Sequence, residues 1–130
     1  MKVLQPAGFA PTKGYANGIA CVDGLVFVSG QIGWDAQHRL VSTDFADQVR
    51  QALRNIVAVV GEAGGGPEHV VRLTWYVTDK QEYLAMQREV GTAYREVMGR
   101  HFPAMSVVEV RGLLEDGAKV EIEATAVIER

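Results

Sequence analysis

The sequence predicts an α+β fold in which two helices cover one face of a mixed β-sheet, in the order ββ-α-β-α-ββ. Three observations predict this fold. Apolar residues alternate in several short β-branched segments, they recur at helical spacing in two longer segments, and the two kinds of segment interleave along the chain. The 130 residues suit one domain, residues 1–130, which is long enough to bury a core without disulfides.

A hairpin signal predicts the first two strands. Residues 1–15 contain prolines and are predicted to be irregular. In the segment GIACVDGLVFVSGQI, residues 18–32, the dipeptide Asp23-Gly24 separates two stretches that suit strands. Gly30 is predicted either to end the second strand or to form a bulge in it.

The first helix is predicted within STDFADQVRQALRNIVAVVGEAG, residues 42–64. Ser42 or Thr43 is the predicted N-cap, and the carboxylates of Asp44 and Asp47 suit the positive end of the helix. The run from Gly64 to Pro67 is predicted to terminate it. One apolar stripe follows helical spacing and comprises Phe45, Val49, Leu53, Ile56 and Val60.

The next segments predict a third strand and a second helix. HVVRLTWYVTD, residues 69–79, is dense in β-branched and aromatic residues, which favour strands. Asp79 is the predicted N-cap of the second helix, with Glu82 as its capping-box partner, and Gly99 is predicted to close that helix. The apolar face of the helix comprises Tyr83, Met86, Val90, Ala93 or Tyr94, and Val97.

The last two strands are predicted in AMSVVEV, residues 104–110, and AKVEIEATAVIE, residues 118–129. Alternation in the final strand divides its side chains between two faces. The face beneath the helices takes Val120, Ile122, Ala124, Ala126 and Ile128, and the open face takes Lys119, Glu121, Glu123 and Thr125. Met105, Val107 and Glu109 are also expected on the open face. A face that mixes apolar and acidic residues predicts contact with another subunit and pockets where subunits meet.

Composition disfavours several classes of protein. The net charge of −3 and the scattered Lys and Arg residues argue against nucleic acid as the main partner. Cys21 is the only cysteine, so no disulfide can form within the chain, and a cytoplasmic location is predicted. The prolines near the N-terminus do not fit a signal peptide, and no apolar run approaches the ~20 residues of a membrane span. The three histidines lack the spacing of metal ligands, so no metal site is predicted.

Four segments resemble the RidA/YjgF family of reactive intermediate deaminases. They are residues 14–35, 47–79, 101–110 and 119–127, in the family's order and at its intervals, and VSGQI and VEIEATA are the most specific of them. The resemblance implies a chorismate-mutase-like fold that forms a homotrimer with clefts between subunits. It also implies hydrolysis of small imines and enamines to a 2-oxo acid and ammonia, without a metal or cofactor.

The same resemblance implies a set of site residues. Glu121 falls on the carboxylate position that handles the attacking water, although alternation alone equally predicts a solvated strand carboxylate. Tyr15 matches a hydroxyl at the cleft mouth, or else it packs on the surface. The remaining positions are predicted to contact the substrate: Gly30, Gln31, Ile32, Trp34, Gln87, Met105 and Val107. Of these, Trp34 is placed at the cleft rim by its position after SGQIG, where it is equally able to pack on the next subunit.

Met105 is the position where the chain departs from the family's pattern. The family's carboxylate-binding arginine is the third residue of a PAR-S run, and here that run reads PAMS. Methionine is uncharged and cannot pair a carboxylate. Losing a charge-assisted hydrogen bond costs about 1.5–3 kcal/mol, or about 10–100-fold in binding. Arg72 and Arg111 are the replacements nearest in sequence, and Arg111 would have to fold back to serve.

The sequence therefore predicts a cofactor-independent imine or enamine hydrolase whose substrate lacks the usual 2-imino-acid carboxylate. An amide, a thioester or an enamine derived from an aromatic compound would suit an apolar pocket. One alternative is a trimeric protein that binds small molecules at its clefts without chemistry. A weaker alternative is ribonuclease activity or translation inhibition, which the negative charge disfavours.

Overall fold

The computed structural model describes residues 1–129. In chain order the elements are β1 (Lys2–Leu4), β2 (Gly18–Ala20), β3 (Leu25–Ile32), α1 (Phe45–Glu62), a 3-10 turn (Pro67–His69), β4 (Val70–Val77), α2 (Lys80–Ala85), α3 (Gln87–Met98), β5 (Ala104–Glu109) and β6 (Val120–Val127). The six strands form one sheet in the order β1-β2-β3-β6-β4-β5. Strands β4 and β5 are parallel, and the other neighbours are antiparallel.

The predicted two-layer α+β architecture is confirmed. Helix α1 packs against β3 and β6, and α3 packs against α1, so the helices cover one face of the sheet. The buried apolar residues form one cluster between the two layers. Within residues 1–129, no helix is long and apolar enough to cross a membrane.

The irregular N-terminal segment was predicted wrongly at residues 2–4, which form β1. This strand pairs with β2, with Lys2 opposite Ala20 and Leu4 opposite Gly18. Leu4 is fully buried in the core. A strand of three residues with one buried side chain is too short to show alternation of apolar and polar residues, so the sequence pattern does not predict it. The reversal after β2 spans residues 21–24, with Gly24 N donating to Cys21 O, so it is longer than a two-residue hairpin.

The second helix is divided in two at Met86. Met86 has φ −110° and ψ 26°, and it both ends α2 and precedes α3. The amide of Gln87 explains the break: its Nε2 donates to Tyr83 O at 2.9 Å, the carbonyl that the Gln87 backbone N–H would bind in a continuous helix. The predicted N-cap Asp79 is confirmed, because its side chain accepts from the backbone N–H groups of Gln81 and Glu82.

Helix α1 is capped by Asp44, and the prediction of Ser42 or Thr43 was wrong by one or two residues. The Asp44 carboxylate accepts from Asp47 N, whereas Ser42 Oγ accepts from Asp44 N and so shapes the turn before the helix. The fully buried amide of Gln48 joins this helix to the end of the sheet. Its Nε2 donates to Gly117 O at 3.0 Å, and its Oε1 accepts from the backbone N–H of Lys119 at 2.8 Å.

The two faces of β6 are as predicted. Its side chains alternate between buried and half-buried along the whole strand, which leaves Glu121 and Glu123 on the open face. The open face also carries Tyr76, which lies opposite Glu121 in β4. The open face therefore mixes acidic, aromatic and apolar groups in the described part of the chain.

The predicted face of Met105, Val107 and Glu109 was wrong. Strand β5 runs parallel to β4, with Met105 beside Leu73 and Val107 beside Trp75, and both neighbours face the core. All three β5 side chains consequently lie on the helix-covered side. The Glu109 carboxylate accepts from the backbone N–H of Lys80 at 2.7 Å, at the start of α2.

Candidate functional site

A bulge in β3 brings a glycine against the carboxyl group of Glu121. The register of β3 on β6 shifts between Val28 and Gln31, so that Ile32 becomes the partner of Glu121. A Cβ atom on Gly30 would lie 2.6 Å from Glu121 Cδ and 2.8 Å from Oε2. The predicted bulge is confirmed, and the missing side chain of Gly30 is what allows the carboxyl group to lie against the backbone.

Glu121 faces a cavity of about 360 Å³ on the open side of the sheet. Five predicted site residues meet there, from the N-terminal segment, β3, the turn after β3, and β6. The lining comprises Tyr15, Ser29, Gly30, Ile32, Trp34, Leu113, Leu114, Glu115 and Glu121. The cavity thus combines the half-buried carboxyl group of Glu121 and the exposed one of Glu115 with aromatic and aliphatic walls, which suits a small and largely apolar molecule.

Burial raises the pKa of Glu121, and the nearby carboxylate of Glu123 raises it further. No hydrogen bond to its carboxylate offsets these effects in the part of the chain that the structure describes. Glu123 differs, because it accepts a hydrogen bond from Tyr76 Oη, and this bond raises the pKa of Tyr76. Burial also raises the pKa of Tyr15, so its hydroxyl stays protonated near neutral pH. Of the two neighbouring glutamates, Glu121 is therefore the one suited to exchange protons with a ligand.

Trp34 is held at the cavity wall by contacts from two sides. Its indole stacks on the imidazole of His38, with ring centroids 3.9 Å apart. Its backbone carbonyl accepts from Nδ2 of Asn55 at 3.0 Å, a buried side chain of α1. The rim residue predicted from SGQIG is thus fixed by the core helix.

Met105 and Gln87 lie in a second cavity, separate from the one that contains Glu121. This cavity has a volume of about 160 Å³ and lies between the helices and the edge strand β5. Its lining comprises Trp75, Tyr83, Gln87, Val90, Gly91, Tyr94, Arg95, Phe102 and Met105. Within one chain the two groups of predicted site residues are on opposite faces of the sheet.

The structure places the other predicted residues outside both cavities. Gln31 is buried, and its Nε2 donates to Ser29 O at 3.2 Å, so its side chain supports the bulge. Val107 packs against the core. Arg72 lies on the open face beside Glu123, and exposed Arg111 is absent from both linings, so neither arginine reaches Met105.

Several lining residues were missed from the sequence. Leu113, Leu114 and Glu115 belong to the connection between β5 and β6, which has no hydrophobic period to mark its position. Two features of the sequence could have indicated these residues. The connection contains two glycines, which suit a chain that folds back, and it directly precedes the strand of Glu121. Residues 1–129 contain no group of three or more His, Cys, Asp or Glu side chains arranged to hold a metal ion.

Replacing Gly30 by alanine is predicted to displace the carboxyl group of Glu121 and to leave the fold intact. The new methyl group would overlap the end of a flexible side chain, which can rotate away. If Glu121 takes part in the reaction, misplacement by about 1 Å should lower kcat/KM about 100-fold while the melting temperature changes little. Ammonia release and thermal unfolding would measure the two effects.

Gly61→Ala is the matched control for this prediction. Gly61 lies in α1, and a Cβ atom there would meet nothing within 4 Å. We expect its activity to equal that of the parent protein. A Gly30→Ala protein as active as this control would contradict a role for Glu121.

Comparison with known proteins identifies the family. The family model described as Endoribonuclease L-PSP matches residues 6–128. A 2-iminobutanoate/2-iminopropanoate deaminase of Salmonella typhimurium is 36% identical, over 94% of this chain and 91% of the relative. The chain belongs to the RidA/YjgF family.

Further comparisons support the same membership. The human 2-iminobutanoate/2-iminopropanoate deaminase is 33% identical, over 97% of this chain and 89% of the relative. The crystal structure of the yjgF gene product of E. coli superimposes with a TM-score of 0.84 at 31% identity, over 98% of both chains. The family resemblance and the chorismate-mutase-like fold predicted from the sequence are confirmed.

Proposed function

We propose that this RidA/YjgF protein is a cofactor-independent hydrolase of small imines or enamines, with Glu121 as its acid–base residue. The observation that supports this most strongly is the Glu121 carboxyl group, whose pKa is raised by burial in a cavity beside Tyr15 and Trp34. A general base is most effective when its pKa approaches the operating pH. Within residues 1–129 no hydrogen bond occupies this carboxyl group, which supports its binding of the attacking water.

The chemistry needs one proton relay. Water adds through its oxygen to the carbon of the C=N bond, and Glu121 takes the proton that the water loses. The nitrogen receives that proton, which gives a carbinolamine. The hydroxyl proton of the carbinolamine then passes through Glu121 to the nitrogen, and the C–N bond breaks as the carbonyl forms. The products are ammonia and a carbonyl compound, with Glu121 restored to its starting state. In this proposal Tyr15, which stays protonated and lines the same cavity, donates a hydrogen bond to the reacting molecule.

We further propose that the protein works as a homotrimer with its sites between subunits. Glu121 and Met105 lie on opposite faces of the sheet, and Met105 is on the edge strand β5. A single chain therefore cannot bring the two positions to one ligand, whereas a neighbouring subunit can. Phe27 and Val108 add exposed apolar area to the open face, which supports its burial in an assembly.

The substrate in this proposal lacks the carboxylate that 2-imino acids carry beside the C=N bond. Met105 offers no charge at the position of the family's arginine, and Arg72 and Arg111 do not line its cavity. Apolar groups at Trp34, Leu113 and Leu114 suit an aromatic or aliphatic substituent. An amide, a thioester or an enamine of an aromatic compound fits these walls.

The test is ammonia release from a panel of imines generated in situ, with and without a carboxylate beside the C=N bond. We expect faster release from a member that lacks this carboxylate than from 2-iminopropionate. No release above the uncatalysed rate from any member would overturn the proposal. If the protein instead bound such compounds saturably and returned them unchanged, it would be a binding protein.

We do not propose ribonuclease activity, because the net charge is −3 and the open face carries two neighbouring glutamates.

A further inference from the structure

The cavity that contains Glu121 is acidic. Its ionisable lining residues are Glu121, Glu115 and Tyr15, and no Lys, Arg or His stands among the lining residues that the structure describes. The phenol of Tyr15 stays neutral, because burial raises its pKa. The charges that this lining can carry are therefore negative. A cleft lined by one sign of charge raises the local concentration of ligands of the opposite sign.

The two carboxylates of the cavity have no cation of the protein beside them. None of the ion pairs found in residues 1–129 includes Glu115 or Glu121. Burial raises the pKa of Glu121, and Glu123 adds to this effect, so the folded chain disfavours the ionised form of Glu121. A cation that binds against this carboxylate from outside the chain would offset that cost. The cavity thus lacks positive charge, which a ligand can supply.

Trp34 gives the same cavity an aromatic surface. The imidazole of His38 covers one face of the indole, with ring centroids 3.9 Å apart, which leaves the other face and the edge for a ligand. Nδ2 of Asn55, a buried side chain of α1, donates to the carbonyl of Trp34 and holds the residue in place. Cations bind over aromatic faces, and tryptophan is their strongest aromatic partner. This observation does not depend on the carboxylates, and it also favours a positively charged ligand.

The remaining walls and the volume limit the ligand to a small and partly apolar molecule. Ile32, Leu113 and Leu114 supply aliphatic surface. At ~30 Å³ for each water, the cavity of about 360 Å³ holds roughly twelve water molecules, which is enough space for one ring with a short substituent. A protonated imine with an apolar substituent combines these features, because its charge resides on the C=N group. Protonation also makes the carbon of that group more reactive towards water.

We infer that the site selects a positively charged substrate, a protonated imine with an apolar substituent and no carboxylate, and that Glu115 is a specificity-determining residue. In this arrangement the half-buried carboxylate of Glu121 binds the C=N group, and the free face of Trp34 covers it. Glu115 is exposed at the rim, so it attracts the cation through solvent and contributes less than Glu121. That the ligand is hydrolysed rests on the proposed function, whereas the preference of the cavity for cations does not.

Benzylamine is a stable probe of this preference, because it combines a ring, a methylene group and an ammonium group. Benzyl alcohol has nearly the same shape without the charge, and benzoate carries the opposite charge. The chain has two tryptophans, so the ¹H–¹⁵N spectrum holds two indole signals, and Trp34→Phe assigns them. Slightly above neutral pH, we expect benzylamine to move the Trp34 signal in a saturable titration. Benzyl alcohol should bind about 10–100-fold more weakly, and benzoate more weakly still.

Two substitutions test which carboxylates select the charge. Glu121→Gln should weaken benzylamine binding by about 10–100-fold, and Glu115→Gln by about 2–5-fold, without changing the affinity for benzyl alcohol. The smaller effect should disappear at high salt, which screens exposed charges. Glu62→Gln is the matched control, since it removes an exposed carboxylate that does not line this cavity, and it should bind benzylamine like the parent protein. The backbone signals in the same spectra verify that each variant is folded.

Three outcomes would overturn the inference: a Trp34 signal that benzylamine does not move, benzyl alcohol or benzoate that binds as tightly as benzylamine, or equal benzylamine affinity in Glu115→Gln and Glu62→Gln at low salt. The proposed function fails by a different result. Benzylamine binding that depends on the carboxylates, together with no ammonia release from any imine, would keep the preference for cations and remove the hydrolase. Ammonia release together with equal binding of the three probes would keep the hydrolase and remove this inference.

Discussion

Glu121→Gln is expected to lower kcat/KM for imine hydrolysis by about 10²–10⁴-fold and, at pH 7, to raise the melting temperature. The loss of activity follows from removing the group that takes the proton from water. The gain in stability follows from the raised pKa of Glu121, since burial and Glu123 disfavour its ionised form in the folded protein. Glutamine keeps the shape of the side chain and carries no charge to bury.

The gain in stability has a definite dependence on pH. Because the folded pKa of Glu121 lies above its unfolded value of about 4.3, the penalty is fully present above the folded pKa and absent below the unfolded one. The difference in melting temperature between variant and parent should therefore shrink as the pH falls through this range and disappear below it. Thermal unfolding from pH 8 to pH 3 measures this.

Glu123→Gln is the control, since it removes the neighbouring carboxylate without touching Glu121. It loses the charge-assisted hydrogen bond from Tyr76, so no gain in stability is expected. It also lowers the pKa of Glu121, so the acid limb of the kcat/KM profile should move to lower pH. A Glu121→Gln protein that keeps its activity would contradict the acid–base role of Glu121, and one that is destabilised at pH 7 would contradict its raised pKa.

Met105→Arg is expected to raise kcat/KM for 2-iminopropionate by about 10–100-fold, the value of a charge-assisted hydrogen bond to the substrate carboxylate. The side chain of Met105 is 37% exposed at the sheet edge, so a longer charged side chain can extend outward without overfilling the core. Ammonia release with 2-iminopropionate generated in situ measures the change. This variant restores the family's PAR-S run at the position where the chain departs from it.

Met105→Gln distinguishes the effect of adding a positive charge at residue 105 from the effect of removing the methionine side chain. It is polar and of similar length but cannot neutralise a carboxylate, so we expect it to gain no activity on 2-iminopropionate. If Met105→Arg gained no more than Met105→Gln, the substrate pocket would differ from the family's at further positions. The natural preference for substrates without that carboxylate would then not depend on residue 105 alone.

The alternation of apolar residues in the sequence was sufficient to predict that Glu121 lies on the open face of the sheet. Buried and half-buried side chains alternate regularly along the whole of β6, and only one face of the strand meets the core. Every second residue therefore faces the core, and the residues between them, including Glu121, face the other side. The bulge at Gly30 was also predictable, because glycine inside a strand pattern is typical of such an irregularity. The resemblance to the family then added Tyr15, and the position of Trp34 directly after SGQIG placed that residue at the rim of the implied cleft. No local pattern would join either residue to a strand so distant in the chain.

The face of Met105 was not predictable from the same kind of pattern. Alternation along β5 shows which residues share a side, but not which side faces the helices. That choice depends on the register of β5 against β4, where Met105 lies beside Leu73. Register is set by pairing between strands far apart in sequence, so the separation of the two cavities emerged only from the folded chain.

The amide of Gln48 divides the connection between β5 and β6 into two parts of unequal local stability. Gly117 and Lys119 are hydrogen-bonded to a fully buried side chain, so displacing them would require part of the core to open. In the described residues, no backbone hydrogen bond outside the regular elements involves residues 111–114. The wall that Leu113 and Leu114 form can therefore rearrange at low free energy, while the strand of Glu121 stays fixed. Changes of residue in this connection can alter the range of accepted molecules without moving the carboxyl group that acts on them.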